Sequence, residues 1–243
     1  MSEPDATTLE CARLLQAPPP LPWLDRLASQ LLSFTYRLRG LERYDDFRLE
    51  HVLGTPLLVT PSVFNPRLLR TGAFFAAQID GALVRGESEV LDMGTGSGVC
   101  ALFAARHARR VVAIDINPAA VRCAQINALM NQLHTRIEVR HGDLFGAVAG
   151  ERFDLVLFNP PFVRAAARSD RERAWRAADV AERFAADLPG HLKPGGCALV
   201  LLSSFGDGAA FVAELAQRGF TLTPWAQRRY VGERVVIFKA VPR

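Results

Sequence analysis

The stretch Glu89-Val90-Leu91-Asp92-Met93-Gly94-Thr95-Gly96-Ser97-Gly98-Val99 constrains this chain more than any other part of it. A strand-type apolar run enters a turn with three glycines, and a helical stretch through Phe103 to His107 leaves it. Glycines in such a turn permit positive φ and let a ligand approach the backbone beside a helix N-terminus. The spacing narrows the ligand. A dinucleotide-binding G-x-G-x-x-G needs its third glycine at position 99, which is Val99, while Gly98 comes one residue early. A pyrophosphate cradle is disfavoured.

From Glu87 onward, short β-rich runs alternate with helical stretches, the pattern of a parallel sheet with crossover helices. The predicted strands are Val90–Asp92, Val111–Asp115, Ile137–Arg140, Leu155–Phe158, Ala198–Leu202, Thr221–Thr223 and Val235–Lys239. Ala181, Phe184, Ala185 and Leu188 make one apolar helical stripe; Gly208, Phe211, Val212 and Leu215 make another. About eleven residues, including Pro224 and Gly232, separate the last two strands, too few for a crossover helix. These two are predicted to close the sheet as an antiparallel hairpin.

Upstream, Ala17-Pro18-Pro19-Pro20 is a stiff connector, and Leu24, Leu27, Ala28, Leu31, Phe34, Thr35 and Leu38 repeat at helical steps, predicting an amphipathic helix from Trp23 to Leu38. Arg48 to Val59, broken at Gly54-Thr55, is predicted as a short hairpin. A rigid turn, Thr60-Pro61-Ser62-Val63-Phe64-Asn65-Pro66, precedes a helix suggested by Leu68, Leu69, Phe74, Phe75 and Ile79. The expected organisation is an N-terminal extension over residues 1–85 (helix, hairpin, helix, acting as a substrate or cofactor lid) and a catalytic domain over 86–243.

Composition excludes several classes. Of the 243 residues 49% are apolar and 22% charged, so the chain can offset its ordering entropy and is not disordered. No apolar run approaches the roughly 18 residues of a membrane span, and the N-terminus carries acids rather than a basic targeting region, so a soluble cytoplasmic protein is expected. Cys11, Cys100, Cys123 and Cys197 show no metal-ligand spacing; they read as buried, reduced thiols, and no metal is expected. A net charge of +4 is mild for a nucleic-acid binder.

Two further carboxylates stand at strand ends. Asp115, 21 residues after Gly94, is placed to accept hydrogen bonds from a ribose diol, and Asn117-Pro118 behind it is a helix N-cap with proline at the first helical position. Asp143, in His141-Gly142-Asp143-Leu144-Phe145, is placed to meet an adenine amino group, or is a turn aspartate.

At these residues the chain resembles the Rossmann-like, class I S-adenosylmethionine-dependent methyltransferases. The resemblance implies an α/β fold with a mostly parallel seven-stranded sheet, an antiparallel C-terminal hairpin and, here, a small N-terminal α+β extension. It implies Asp92 near the methionine amino group of S-adenosylmethionine, and a cofactor site formed by Asp92, Gly94, Thr95, Gly96, Gly98, Asp115, Ile116, Asp143, Leu144 and Asn159. Lys193-Pro194-Gly195-Gly196 is usual in the class and is equally a plain turn.

Phe153-Asp154-Leu155-Val156-Leu157-Phe158 runs straight into Asn159-Pro160-Pro161-Phe162. Two prolines at a strand end fix the backbone and remove two donors, leaving the Asn159 and Pro160 carbonyls free to accept. The Asn159 side-chain oxygen and the Pro160 carbonyl suit the two protons of an amide or aryl amine, with Phe162 stacked on its plane. The nitrogen lone pair of such a group is delocalised and weak, so polarising its N–H bonds and aiming it at a methyl sulfonium is a plausible route to transfer. Asn159, Pro160, Pro161 and Phe162 are the expected catalytic residues; alternatively the tetrapeptide only caps a strand.

Asn-Pro-Pro-Phe resembles the amino-methyltransferase branch, which includes protein-glutamine methyltransferases of release factors and RNA guanine and adenine methyltransferases. Pro61-Ser62-Val63-Phe64-Asn65-Pro66-Arg67, then Thr71, is similar to a segment closing over the cofactor in HemK-related methylases. The resemblance spans roughly residues 50–203, and residues 1–45 lie outside it.

The expected activity is N-methylation of a planar amide, with glutamine in a translation factor first, or of an RNA exocyclic amine. An NAD-dependent oxidoreductase and a non-catalytic cofactor-binding protein are the readings from other classes. Residues 1–60 hold six Arg against eight acids. Val163–Arg176 carries Arg164, Arg168, Arg171, Arg173 and Arg176 against Asp170 and Glu172, with Trp175 between, and reads either as a solvated face or as a docking surface for protein or RNA.

Overall fold

The computed structural model describes residues 6–16, 46–68, 70–161, 179–204, 206–230 and 233–243. A short α1 (Ala6–Leu14) is followed by a hairpin, β1 (Arg48–Val52) and β2 (Thr55–Val59), and by α2 (Thr71–Ala76). There follow β3 (Glu89–Met93), α3 (Val99–Ala105), β4 (Arg110–Asp115), α4 (Pro118–Met130) and β5 (Ile137–His141). The remainder is β6 (Phe153–Phe158), α5 (Val180–His191), β7 (Leu192–Ser203), α6 (Gly208–Gln217), β8 (Phe220–Tyr230) and β9 (Glu233–Pro242).

All seven expected strands form one sheet in the order β5-β4-β3-β6-β7-β9-β8. Neighbours from β5 to β7 are parallel, and β9 pairs antiparallel with both β7 and β8. The central strands read as near-continuous apolar runs, interrupted by Asp92 in β3 and Asp154 in β6, because both faces are covered. Phe158, Phe184 and Phe211 meet on one face, their rings 4.7 and 5.6 Å apart through Phe184, with α5 and α6. Phe74, Phe75, Leu102 and Leu157 pack on the other, with α2 and α3.

The closing strands differ from the expected bounds. Instead of about eleven residues between them, β8 continues to Tyr230 and β9 starts at Glu233, with a register shift between Pro224 and Ala226. Proline is tolerated here because β8 is the outer strand and the ladder is already irregular at this position. The upstream hairpin breaks one residue earlier than expected. Val52 pairs with Thr55, and Leu53 and Gly54 form the turn at φ 48° and 79°, the doubly positive geometry of a tight hairpin. The helix after the proline turn is shorter than expected, since Leu68 and Ile79 lie outside it.

The helix α1 was not legible in the sequence. It packs on α6 and β8, where the Cys11 thiol donates to the Leu222 carbonyl at 3.5 Å. The predicted helix over Trp23–Leu38, Phe162 and the segment Val163–Arg176 lie outside the described residues. Among the described residues no helix is long and apolar enough to cross a membrane.

The hairpin is held on α4 by three side chains, of which the fully buried Asn127 makes the most bonds. The Asn127 amide nitrogen donates to the Leu58 carbonyl at 2.7 Å and the Ser97 carbonyl at 2.8 Å, and its oxygen accepts from Leu58 N–H at 2.7 Å. Asn131 adds a bond to the Pro56 carbonyl at 3.0 Å. The upstream segment is thereby tied to the glycine turn through a single amide.

Candidate active site

Loops at the C-terminal ends of β3, β4, β5 and β6 surround a cavity of about 330 Å³, a size within the range of small-molecule sites. It sits where the chain, having proceeded outward from β3 to β4 and β5, returns to the other side of β3 as β6, the position at which open α/β sheets bind ligands.

The glycine turn is built as its spacing demands. Gly94, Gly96 and Gly98 have φ of 65°, 56° and 82°, and Thr95 N–H bonds to the Ile114 carbonyl at 2.9 Å, holding the turn against β4. The three glycines do different things. A Cβ on Gly96 would meet nothing within 4 Å, so this backbone faces open space. A Cβ on Gly98 would sit 3.2 Å from both the Cα and Cβ of Ala124, so this glycine lets α3 and α4 approach. Gly98→Val therefore combines a β-branched residue at positive φ with a helix clash. The expected loss is about 2–3 kcal/mol, seen as a fall in thermal midpoint of roughly 4–12 °C, whereas Gly96→Ala carries the strain without the clash.

Asp92 is 4% exposed; its Oδ2 accepts from Thr95 Oγ1 at 2.6 Å and Ala101 N–H at 2.9 Å. Burial pushes its pKa up to about 7, those two bonds oppose the rise, and the neighbouring Asp115 charge adds to it. Asp115 accepts one backbone bond on each oxygen, from Gly96 at 2.9 Å and Asn117 at 2.8 Å. An ionised carboxylate has about four acceptor positions, so roughly two remain for a ligand. Burial raises this pKa also, against the Asn117 and Gly96 bonds. Asn117 caps α4 as expected, accepting from Ala119 N–H at 2.9 Å.

Asp143 and Leu144 line the cavity beyond β5. Asp143 is held by Arg183 of α5 at 2.6 Å. Arg183 also reaches Asp179 at 3.9 Å, and both line the cavity. Neither was anticipated, since at the sequence level Arg183 is one more arginine on an amphipathic helix. The upstream turn contributes Ser62, Val63, Phe64 and Pro66, along with Gly72. Its shape comes from Asn65, whose oxygen accepts from Arg67 N–H at 3.0 Å and Leu68 N–H at 3.2 Å while its nitrogen donates to Glu50 at 3.1 Å.

Asn159, Pro160 and Pro161 follow β6 into the cavity wall, beside Phe158. Asn159 Oδ1 is buried and has no hydrogen-bond partner among the described residues. An orphaned buried acceptor costs about 1–3 kcal/mol, so such an atom in a cavity wall points to a ligand donor. Of the expected site residues, Asp92, Gly94, Thr95, Gly96, Asp115, Ile116, Asp143, Leu144, Asn159, Pro160 and Pro161 all line this one cavity, and Gly98 stands behind it.

Comparison with known proteins identifies the family. A family model described as "Methyltransferase small domain" matches residues 57–218. The chain is 36% identical over 158 residues to a release factor glutamine methyltransferase of Cereibacter sphaeroides, covering 59% of this chain and 55% of that one. It is 30% identical over 161 residues to a putative protein N5-glutamine methyltransferase of Methanocaldococcus jannaschii (63% and 80%). It is 35% identical over 137 residues to a ribosomal RNA small subunit methyltransferase C of Alcanivorax borkumensis (56% and 39%). The chain thus spans about two fifths and just over half of the Alcanivorax and Cereibacter relatives. Among solved structures, a T. thermophilus 16S rRNA N2 methyltransferase in complex with AdoMet and guanosine aligns at TM-score 0.60 and 24% identity, over 82% of this chain and 50% of that one. A ribosomal protein L11 methylase of Lactobacillus delbrueckii aligns at TM-score 0.56 and 22% identity, over 74% and 82%.

Proposed function

The chain belongs to the methyltransferase small domain family, within the class I S-adenosylmethionine-dependent methyltransferases, and from that premise we propose that it methylates a planar amide or amino nitrogen, with a protein glutamine side chain as the first candidate acceptor. The observation that carries the reading is the unpartnered Asn159 Oδ1 in the wall of a cavity whose other side is the glycine turn. Relatives named as glutamine methyltransferases of release factors support the choice of glutamine.

The residues present fit the cofactor. S-adenosylmethionine supplies a sulfonium-activated methyl group. Gly96 offers backbone with open space before it, Asp115 keeps acceptor positions for a ribose diol, and Asp143, braced by Arg183, is the acceptor for an adenine amino group. Asp92 is the counter-charge for an ammonium group. On the acceptor side, Asn159 Oδ1 and the Pro160 carbonyl take the two N–H protons of the substrate nitrogen and hold its lone pair on one line of approach. The contribution is orientation and electrostatic polarisation. Residues 1–85 are assigned the role of an extension whose turn at Ser62–Pro66 covers the cavity, and residues 86–243 that of the catalytic domain.

A pH dependence follows from Asp92. A carboxyl with a raised native pKa stabilises the free protein below about pH 4, and that contribution is lost as pH rises through about 7. Cofactor binding runs in the opposite sense, because pairing with a cation requires the ionised form. Affinity for S-adenosylmethionine is expected to rise by up to about tenfold per pH unit below 7 and level off above it, with proton release on binding. Calorimetry in buffers of different ionisation enthalpy reads both, and Asp92→Asn flattens the profile. A pH-independent affinity in the native protein would remove Asp92 from this role.

Methylation of an exocyclic amine on an RNA base is the second reading. It is favoured by the relative named as a ribosomal RNA methyltransferase, whose identity to this chain, 35%, is close to the 36% of a glutamine methyltransferase. Incubation with radiolabelled S-adenosylmethionine and either release factors or total RNA separates the two. Label in the protein fraction is expected; label confined to RNA overturns the glutamine assignment.

A further inference from the structure

The edge of the sheet remote from the glycine turn carries a feature that methyl transfer does not use. Strand β8 runs parallel to β6, so Arg228 and Tyr230 near its end lie on the same side of the sheet as Asn159. Beyond Leu222 its side chains are mostly exposed, including Trp225 at 43%. On the face shared with α2, three cations sit over three rings. The Lys239 ammonium is 5.5 Å from the Trp225 ring, the Arg228 guanidinium 5.0 Å from Phe74, and the Arg70 guanidinium 5.8 Å from Tyr230. The Tyr230 hydroxyl donates to the Arg70 carbonyl at 3.5 Å. Arg70 is two residues from Gly72, which lines the cavity, so the row starts at the rim of the site.

Among the described residues none of these three cations has a carboxylate partner. Glu233, across the strand from Tyr230, is engaged by Ser203 Oγ at 2.5 Å. Ring contacts hold the flexible cationic side chains in place, with Arg70 and Arg228 exposed and Lys239 half-buried.

We propose that this face docks RNA, with phosphates at Lys239, Arg228 and Arg70 and a base against the exposed part of Trp225. Protein interfaces concentrate apolar side chains at a dry centre and deplete charge there, whereas nucleic-acid interfaces are polar and positive. The exposed aliphatic side chains among the described residues lie elsewhere: Leu49 and Leu53 on the hairpin, Leu129 on α4, and Leu9 on α1, which packs on the opposite face of the sheet. Alternating cations and aromatic rings along an edge is the arrangement that follows a single strand. The inference rests on the methyltransferase reading for what the RNA delivers: either a base or a glutamine on an RNA-bound protein.

The test is fluorescence anisotropy of a labelled twelve-nucleotide single-stranded RNA with the full chain, between 50 and 200 mM KCl. Removing three phosphate contacts in Arg70→Gln/Arg228→Gln/Lys239→Gln should reduce the log–log salt slope by about 2, at roughly 0.7 per contact, and weaken binding at least tenfold at low salt. Trp225→Ala should weaken binding with the slope unchanged. The triple variant should keep its thermal shift with S-adenosylhomocysteine, which shows that it is folded. Equal RNA binding by wild type and triple variant, or an unchanged salt slope, overturns the proposal. Polyglutamate that competes as well as RNA at equal charge also overturns it, in favour of an acidic protein. Loss of the S-adenosylhomocysteine shift in the wild type would strike the methyltransferase reading and not the docking face.

Discussion

Asn159→Ala is expected to lower methyl transfer by about 10²–10³-fold, the range measured for removal of one preorganised hydrogen-bonding group at a reacting centre, while changing affinity for S-adenosylhomocysteine by less than about threefold. The asymmetry follows from position. The Asn159 side-chain oxygen is buried in the cavity wall without a partner among the described residues, so no described contact depends on it. The cofactor side is held separately, by Gly96, Asp115 and the backbone bonds between them. Alanine removes an unsatisfied acceptor, which leaves stability unchanged or slightly raised. Single-turnover rates with saturating cofactor, alongside calorimetric titration of the product, give both quantities. Turnover within a factor of about two of wild type would refute the assigned role.

Asn127→Leu is expected to destabilise the protein by about 4 kcal/mol, or a fall in thermal midpoint of roughly 8–16 °C. Leucine is close in size, so the effect is not a cavity. It leaves the Leu58 N–H and the Ser97 carbonyl without the bonds they make at 2.7 and 2.8 Å, at about 1–3 kcal/mol for each buried orphan, while the Leu58 carbonyl loses its 2.7 Å bond and keeps only the weak Cys123 thiol donor at 3.2 Å. Because the same amide joins the hairpin to the glycine turn, cofactor affinity should fall with stability. Hydrogen exchange at Leu58 should rise ahead of exchange in β3 or β6. Protection of Leu58 equal to that of the central strands would mean that the hairpin is held by something else.

The strands and the catalytic end of the sheet were legible because each depends on local chemistry. Runs such as Leu155–Phe158 are apolar throughout, as a strand covered on both faces requires, and the glycine turn announces its own positive φ. Asp92, Asp115 and Asn159 were found at strand ends because a polar residue ending a buried run has few places to be. Strand bounds were less legible at the edge, where β8 runs on through Pro224 because it is the outer strand and its ladder is already irregular there. Helix α1 gave no signal, being short and anchored by Cys11 on a partner more than two hundred residues away.

The sequence by itself determined the reaction class and supplied the candidate residues for it, since the glycine turn and Asn159-Pro160-Pro161 are each contiguous segments at strand ends. Only the tertiary structure decided how those pieces converge. It turned Asn127 from a mid-helix polar residue into the tie between hairpin and glycine turn, gave Asp143 its Arg183 partner, and raised the Asp92 pKa to about 7 by burial. It also set three cations from distant segments in a row along β8. The physical reason is the same in each case. A hydrogen bond, an ion pair or a desolvation depends on which atoms lie within a few ångströms, and between residues from fourteen to one hundred and sixty positions apart that distance is set by the packing of the whole sheet.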